Sequence, residues 1–264
     1  MTKIRRTDLA LVVIMVLTLG VQATMKVPAD LFLFLNSMCA ELPDAVWQNL
    51  TQLGDTLVLL CCMAPVLWFR PAWIYGLIAA IPLGSFLSLF FKNTFNAPRP
   101  GDVLSLSDFH AIAPLLSGHS FPSGHTITAF AFAAVLWISL RQEAPGAFKR
   151  CAQAGALLLA AGIGLSRIAM GVHWPLDVLA GACMGWLAGL SGVMLVEKYQ
   201  AFWQAGFTKW TVLLLLVIGA GYLAARSPLT EVIVIAAVAS VLGAALFQAA
   251  RQLVNRRRLK RPGV

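Results

Sequence analysis

Residues 175–196 read PLDVLAGACMGWLAGLSGVMLV, and Asp177 is the one charged side chain among them. An α-helix rises 1.5 Å per residue, so a run of this length reaches about 33 Å and covers the hydrocarbon of a bilayer. Runs of the same kind occur at about 8–24, 53–69, 73–91, 121–140, 151–169, 210–225 and 229–249, which predicts eight spans in all. Of the 264 residues 59% are hydrophobic and only 12% charged, and the mean hydropathy is +0.79. An ordinary soluble domain carries roughly 25% charged residues. A water-soluble globule, a disordered chain, a disulfide-stapled secreted scaffold and a soluble α/β enzyme are all excluded by that balance. The expected fold class is all-α: a polytopic membrane helical bundle.

The formal net charge of +9 raises the question of nucleic acid, and the positions of the cations answer it. With a cytoplasmic N-terminus, the inner loops and tails collect Lys3, Arg5, Arg6, Arg70, Arg141, Lys149, Arg150, Lys198, Lys209, Arg251, Arg256, Arg257, Arg258, Lys260 and Arg261, which is 15 of the 20 Lys and Arg. Only Lys26, Lys92, Arg99, Arg167 and Arg226 fall outside. That bias places both termini in the cytoplasm and assigns the basic character to topology, with no nucleic acid as partner. The closing run Arg256 to Arg261 reads as the charged tail that follows a last helix. Cys39, Cys61, Cys62, Cys151 and Cys183 form an odd set with no C-x-x-C spacing, so neither a disulfide framework nor a zinc site is implied. Lys3, Arg5 and Arg6 ahead of an apolar run that ends near Val21-Gln22-Ala23 resemble a secretory signal, and cleavage there would leave the topology of the rest unchanged.

Two outer segments are longer than turns. In residues 25–52 the helical spacing of Leu31, Leu35, Met38 and Leu42, with Trp47 nearby, predicts a helix lying in the membrane interface or capping the bundle. Residues 92–121 are polar and rich in breakers, with Lys92, Pro98, Arg99, Pro100, Gly101, His110, Pro114, Gly118 and His119. Such sequence at a membrane boundary carries function more often than packing.

All four histidines, His110, His119, His125 and His173, lie in outer segments or at the outer end of a predicted helix. Lys92, Arg99 and Arg167 share that side, and Asp177 sits just inside a span. Ionisable groups at membrane depth are costly, so a set gathered at one level points to a site. One Lys and two Arg can surround a group with several anionic oxygens, as a phosphate has. Pro122-Ser123-Gly124-His125 opens the fourth span and offers that anion free backbone N–H groups, a hydroxyl and the positive end of a helix dipole. Imidazole titrates near neutrality and can serve as nucleophile or as general acid and base. Asp177 stands four residues after His173, with Pro175 in the first helical turn, so its carboxylate can reach back and orient the ring. The inventory requires no metal and no cofactor.

At these residues the chain resembles a known family. Lys92-x6-Arg99-Pro100, Pro122-Ser123-Gly124-His125 and Ser166-Arg167-x5-His173-x3-Asp177 look like the three-part signature of the type 2 phosphatidic acid phosphatase superfamily, whose soluble relatives include vanadium haloperoxidases. The resemblance implies a six-span phosphatase core over residues 1–196 and a reaction through a phosphohistidine. His173 would attack phosphorus while Asp177 orients it, and His125 would protonate the leaving oxygen and then assist water. Lys92, Arg99, Ser123, Gly124 and Arg167 would hold the phosphate. His110 and His119 fall outside the motifs, and His119 is at most a substrate contact.

The family pattern does not explain the hairpin within residues 197–250, with Arg226, Pro228 and Glu231 near its turn, nor the basic tail 251–264. The hairpin is expected to face lipid or another copy of the chain. In a bacterial cell the site would open to the periplasmic side of the inner membrane. The family implies undecaprenyl diphosphate, phosphatidylglycerophosphate, phosphatidic acid or lipid A phosphate as substrate. A phosphotransferase with a lipid diphosphate donor and a non-catalytic lipid or anion transporter are the alternatives, although transporters commonly show internal repeats and none is visible here.

Overall fold

A computed structural model of the chain describes residues 6–24, 29–112, 117–141, 146–226 and 232–259. Lys3, Arg5, Lys26, Pro114, Pro228, Glu231, Lys260 and Arg261 lie outside the described residues, as do the side chains of Arg6, Gln22, Ala23 and residues 252–259. The helices are α1 (Arg6–Thr24), α2 (Ala29–Cys39), α3 (Asp44–Gln52), α4 (Thr56–Cys62), α5 (Val66–Phe69), α6 (Pro71–Phe95), α7 (Pro100–Val103), α8 (Gly124–Leu140), α9 (Ala147–Ala169), α10 (Pro175–Lys198), α11 (Gln200–Gln204), α12 (Gly206–Arg226) and α13 (Val232–Leu259). Among the described residues there is no strand.

By length and composition, the stretches of α6, α9, α10, α12 and α13 are each able to cross a membrane, while α1 and α8 supply shorter apolar helices. The remaining expected span, 53–69, is not one helix. Pro65 has no N–H to offer the next helical bond, so α4 closes at Met63. The chain then tightens through Val66 N–H to the Met63 carbonyl at 2.8 Å before α5 begins. At its other end α4 starts where Asp55 Oδ1 accepts from the N–H groups of Leu57 at 2.9 Å and Val58 at 3.1 Å, a side-chain N-cap.

The centre of the bundle is the segment quoted first, α10, packed between α8 and α6. Gly181, Gly185 and Gly189 recur every four residues and therefore line one face of the helix. A Cβ at Gly181 would stand 2.7 Å from the Ser123 carbonyl oxygen, and one at Gly189 2.5 Å from that of Ala131. Neither distance is sterically possible, so this face has to be glycine for α8 to approach it. Close approach in turn sets Ser123 N–H 3.1 Å from the Asp177 carbonyl, which fixes the level at which α8 and α10 begin.

The hairpin α12–α13 covers the broken span. Val58, Cys61 and Leu67 are buried together with Val212, Leu216 and Leu223 of α12 and Val234, Ala237 and Val241 of α13. Its outer face, with Leu214, Leu215, Ile218, Leu242 and Leu246, is exposed, as is that of α6 at Phe86, Leu89 and Phe90. Such faces suit lipid rather than water. α13 also runs past the expected hairpin end at residue 250, to Leu259.

Residues 29–52 form two helices instead of one. Phe32, Asn36, Cys39 and Trp47 turn inward; of the expected stripe Leu35 packs against the Phe32 cluster, while Leu31, Met38 and Leu42 stay exposed. Asn36 fixes the assembly. Its Nδ2 donates to the carbonyls of His110 at 2.9 Å and Ile168 at 3.0 Å, and its Oδ1 accepts from His110 N–H at 2.8 Å. A buried amide satisfied on both ends in this way pins α2 to the end of α9, where Arg167 sits.

Candidate active site

The expected site residues come from four helix ends that meet at one end of the bundle. Lys92 belongs to the last turns of α6, His125 to the first turn of α8, Arg167 to the last turn of α9 and Asp177 to the first turn of α10. His173 stands in the short connection between α9 and α10, and Arg99 just after α6, at the start of α7. The charges of Lys92, Arg99 and Arg167 all act on both His125 and His173, so the three cations converge on the two imidazoles.

Asp177 is fully buried and its Oδ2 is the hub of the site. It accepts from Trp174 N–H at 2.8 Å, which is the first-turn acid reaching back over its helix end. The same oxygen takes the Ser120 hydroxyl at 2.5 Å and faces His173 Nδ1 at 3.2 Å. Ser120 Oγ is also 3.4 Å from that nitrogen. A carboxylate at Nδ1 assigns the ring proton there and leaves the Nε2 lone pair free. Burial, and then the charges of Arg167, Arg99 and Lys92, hold the His173 imidazole well below its ordinary pKa, so the ring is neutral at pH 7.

Arg99 is a brace as well as a charge. Its Nε donates to the Gly118 carbonyl and its Nη1 to the Val172 carbonyl, both at 2.9 Å. Asp102 Oδ2 gathers the same loops by accepting from the N–H groups of Arg99 at 2.8 Å and Gly118 at 2.9 Å. Gly118 has φ +62°, a left-handed conformation in which glycine is unstrained. Arg167 is buried and donates through Nη1 to the Thr51 hydroxyl. Its Nε is buried without a partner among the described residues. A buried donor of that kind is costly unless an acceptor shares its surroundings.

Ser123 is fully buried and its Oγ accepts from Thr126 Oγ1 at 2.9 Å, which leaves its own proton for another acceptor. Gly124 and His125 line a half-open cavity of about 330 Å³ between α4, α6, α8 and α10. Its walls are mainly apolar, with Ile81, Ser85 and Leu89 at the exposed side and the half-buried Ser88 and Thr128 further in. A chain held in lipid can therefore lie along α6 while its head reaches His125.

Clustering of four histidines predicts more than the fold assembles. His110 Nε2 pairs with Asp44 Oδ1 at 2.8 Å on the exposed outer segment, where it ties the loop after α7 to the start of α3, away from the residues gathered above. His119 is exposed and hydrogen-bonds through Nδ1 to the Lys92 carbonyl at 3.2 Å. Conversely, Ser120, Thr51 and Asp102 belong to the site's framework and were not singled out by the sequence. Ser120 stands beside the Pro122 motif and could have been weighed there, whereas nothing local marks Thr51. Among the described residues no three His, Cys, Asp or Glu side chains are grouped as metal ligands would be.

Comparison with known proteins follows the same residues. The PAP2 superfamily model matches residues 71–201, which hold every motif above. Phosphatidylglycerophosphatase B of Bacillus subtilis is 31% identical over 171 residues, 61% of this chain and 79% of that protein. The putative undecaprenyl-diphosphatase YbjG of Escherichia coli is 32% identical over 148 residues, which is 50% of this chain and 63% of that protein. Among solved structures, Aquifex aeolicus LpxE superposes with a TM-score of 0.54 at 33% identity, covering 65% of this chain and 97% of that one. The hairpin α12–α13 lies beyond the matched family residues.

Proposed function

Because the chain belongs to the PAP2 superfamily, we propose that it is an integral membrane phosphatase that hydrolyses a lipid phosphomonoester or diphosphate through a phosphohistidine, without a metal or cofactor. The observation that carries the reading is the buried His173–Asp177 pair, with Nε2 left free, facing three converging cations.

The phosphate enters among Lys92, Arg99 and Arg167, with Ser123 and the N-terminus of α8 at Gly124 completing its cradle. His173 Nε2 forms a bond to phosphorus as the bond to the leaving oxygen breaks, and His125 supplies that oxygen with a proton. Asp177 keeps the imidazole in the attacking tautomer and supports the positive charge that develops on it. His125, now neutral, removes a proton from water as the water attacks the phosphohistidine, releasing phosphate and restoring His173. Charge spread over the equatorial oxygens in the transition state is where the fixed cations contribute most.

Lipid is favoured as the substrate class by the cavity at His125, whose exposed apolar side opens along α6. Lys92 and Asp177 lie on the end of the bundle away from Arg70, Lys149 and Lys198. The positive-inside rule then makes the site periplasmic and both termini cytoplasmic in a bacterial inner membrane. The relatives named above differ in the lipid of their names, so undecaprenyl diphosphate, phosphatidylglycerophosphate, phosphatidic acid and lipid A phosphate are all kept in the test.

That test is phosphate release by the detergent-purified protein from each of these lipids in excess chelator. Release from at least one lipid is expected, and none from any lipid by folded protein would defeat the proposal. With the best substrate, kcat/KM is expected to follow a bell-shaped pH profile, falling on the acid side as the His173 imidazole takes a proton and on the alkaline side as His125 loses the proton it delivers to the leaving oxygen, after correction for the substrate's own ionisation. The acid limb follows from the neutral His173 ring being the nucleophile: activity is present above its depressed pKa and lost below it.

A further inference from the structure

At the far end of α6 from Lys92 lies a second cavity, of about 510 Å³, bounded by α5, the start of α6, α11 and the near ends of α12 and α13. Tyr75 lines it, and a helix rising 1.5 Å per residue puts Tyr75 about 26 Å from Lys92. The two cavities share no residue.

The walls are aromatic. Trp68 and Trp210 meet edge to face at 6.0 Å, and Trp203 stacks on Tyr75 at 5.2 Å. Two cations share the space with them. Lys209 Nζ lies 4.1 Å over the Trp68 ring, and the charge of Arg251 acts on it. Among the described residues neither has a carboxylate partner. Two further polar atoms complete the lining: Trp68 Nε1 and Gln248 Oε1 are buried without a hydrogen-bond partner among the described residues. Arg251 is exposed and Lys209 half-buried, so their heads stand at the mouth of the cavity, and a snorkelling pair alone would leave no buried donor and acceptor unpaired beside it. Like charges drawn together in an aromatic cavity instead call for an anion, and the orphaned Gln248 oxygen calls for a hydroxyl on the same ligand.

We propose that this cavity binds the headgroup of an anionic glycerophospholipid of the leaflet on that side, its phosphodiester held by Lys209, Arg251 and the Trp68 N–H and a headgroup hydroxyl donated to Gln248. Tryptophans at headgroup depth and a basic pocket between spans are the physical requirements for such a site. Lys209, Gln248 and Arg251 lie outside the residues matched by the family, so the site is a property of this chain's added hairpin. A bound lipid ties α12 and α13 to the start of α6. The inference uses no residue of the catalytic proposal and stands apart from it.

The test is retention of lipid by the full chain, purified, delipidated and examined by native mass spectrometry in a neutral detergent. Dioleoyl phosphatidylglycerol, dioleoyl phosphatidylcholine and inorganic phosphate are titrated separately. The wild-type chain is expected to hold phosphatidylglycerol at least tenfold more tightly than either of the others. The double variant Lys209→Gln/Arg251→Gln is expected to lose that preference, while His173→Ala keeps it, which separates this site from the catalytic one. Phosphatidylglycerol binding unchanged in the double variant, or phosphatidylglycerol displaced from the wild-type chain by an equal concentration of inorganic phosphate, would overturn the proposal. Should the double variant not fold, Arg251→Gln and Trp68→Phe take its place, and unchanged retention in both overturns it equally.

Discussion

Replacing His173 by Ala is expected to stop phosphate release, by about 10⁴-fold or more, or ~5.5 kcal/mol of barrier at ~1.36 kcal/mol per decade. No other side chain can take over the bond to phosphorus, because His125 is on the opposite side of the proposed in-line geometry and is needed for the leaving oxygen. The fold should survive. Among the described residues the His173 ring hydrogen-bonds to Asp177 and Ser120, and these remain bonded to each other, and Asp177 to Trp174 N–H, when the ring is gone. A purified His173→Ala protein with wild-type thermal stability and no turnover is therefore the expected outcome. Wild-type turnover in that protein would remove the nucleophile from the account.

Arg167→Ala is expected to lower kcat by about 10²–10³-fold, the range seen when a preorganised donor to a developing anion is removed. Thermal stability is expected to move the other way or not at all. Arg167 is buried and its described hydrogen-bond partner is a neutral hydroxyl, Thr51. Lys92 and Arg99 crowd it with like charge. In the free enzyme its removal relieves repulsion, whereas in the transition state it removes an attraction. A residue that only held the fold would show the reverse, a fall in stability with little loss of kcat in the protein that remains. Arg167→Lys is expected to recover part of the rate, since an ammonium restores the charge but lacks the planar fork that reaches Thr51 and the site together. Measuring melting temperature and kcat on the same preparations separates the two roles.

Most of the bundle could be read from apolar runs, because in a bilayer a helix must satisfy its own backbone and the length of the run is then the length of the element. The reading weakened where a proline interrupted such a run: Pro65 divides 53–69 into α4 and α5, and hydropathy has no term for a missing N–H. Gly181, Gly185 and Gly189 were present in the stretch that decided the fold, and their fourfold spacing is the sequence sign of close helix contact. The motif residues stood out by residue type and spacing, and the fold gathers them at one end of the bundle. Ser120 and Thr51 were not legible, since a lone hydroxyl gains meaning only when the fold brings it to a residue far away in the chain, here Asp177 and Arg167. His110 misled for the converse reason. Its place on the outer side matched the site, but Asp44 and Asn36 hold it elsewhere.

The central claim is that phosphorus is transiently bonded to His173. The most direct measurement is rapid quenching of the wild-type protein in alkali during turnover of its best lipid substrate, followed by mass spectrometry of the peptide that contains residue 173. A phosphoryl group on His173, stable in alkali, lost in acid and absent without substrate, is the predicted result. Phosphate release at the full rate with His173 never modified, or with the phosphoryl group on His125 instead, would contradict it.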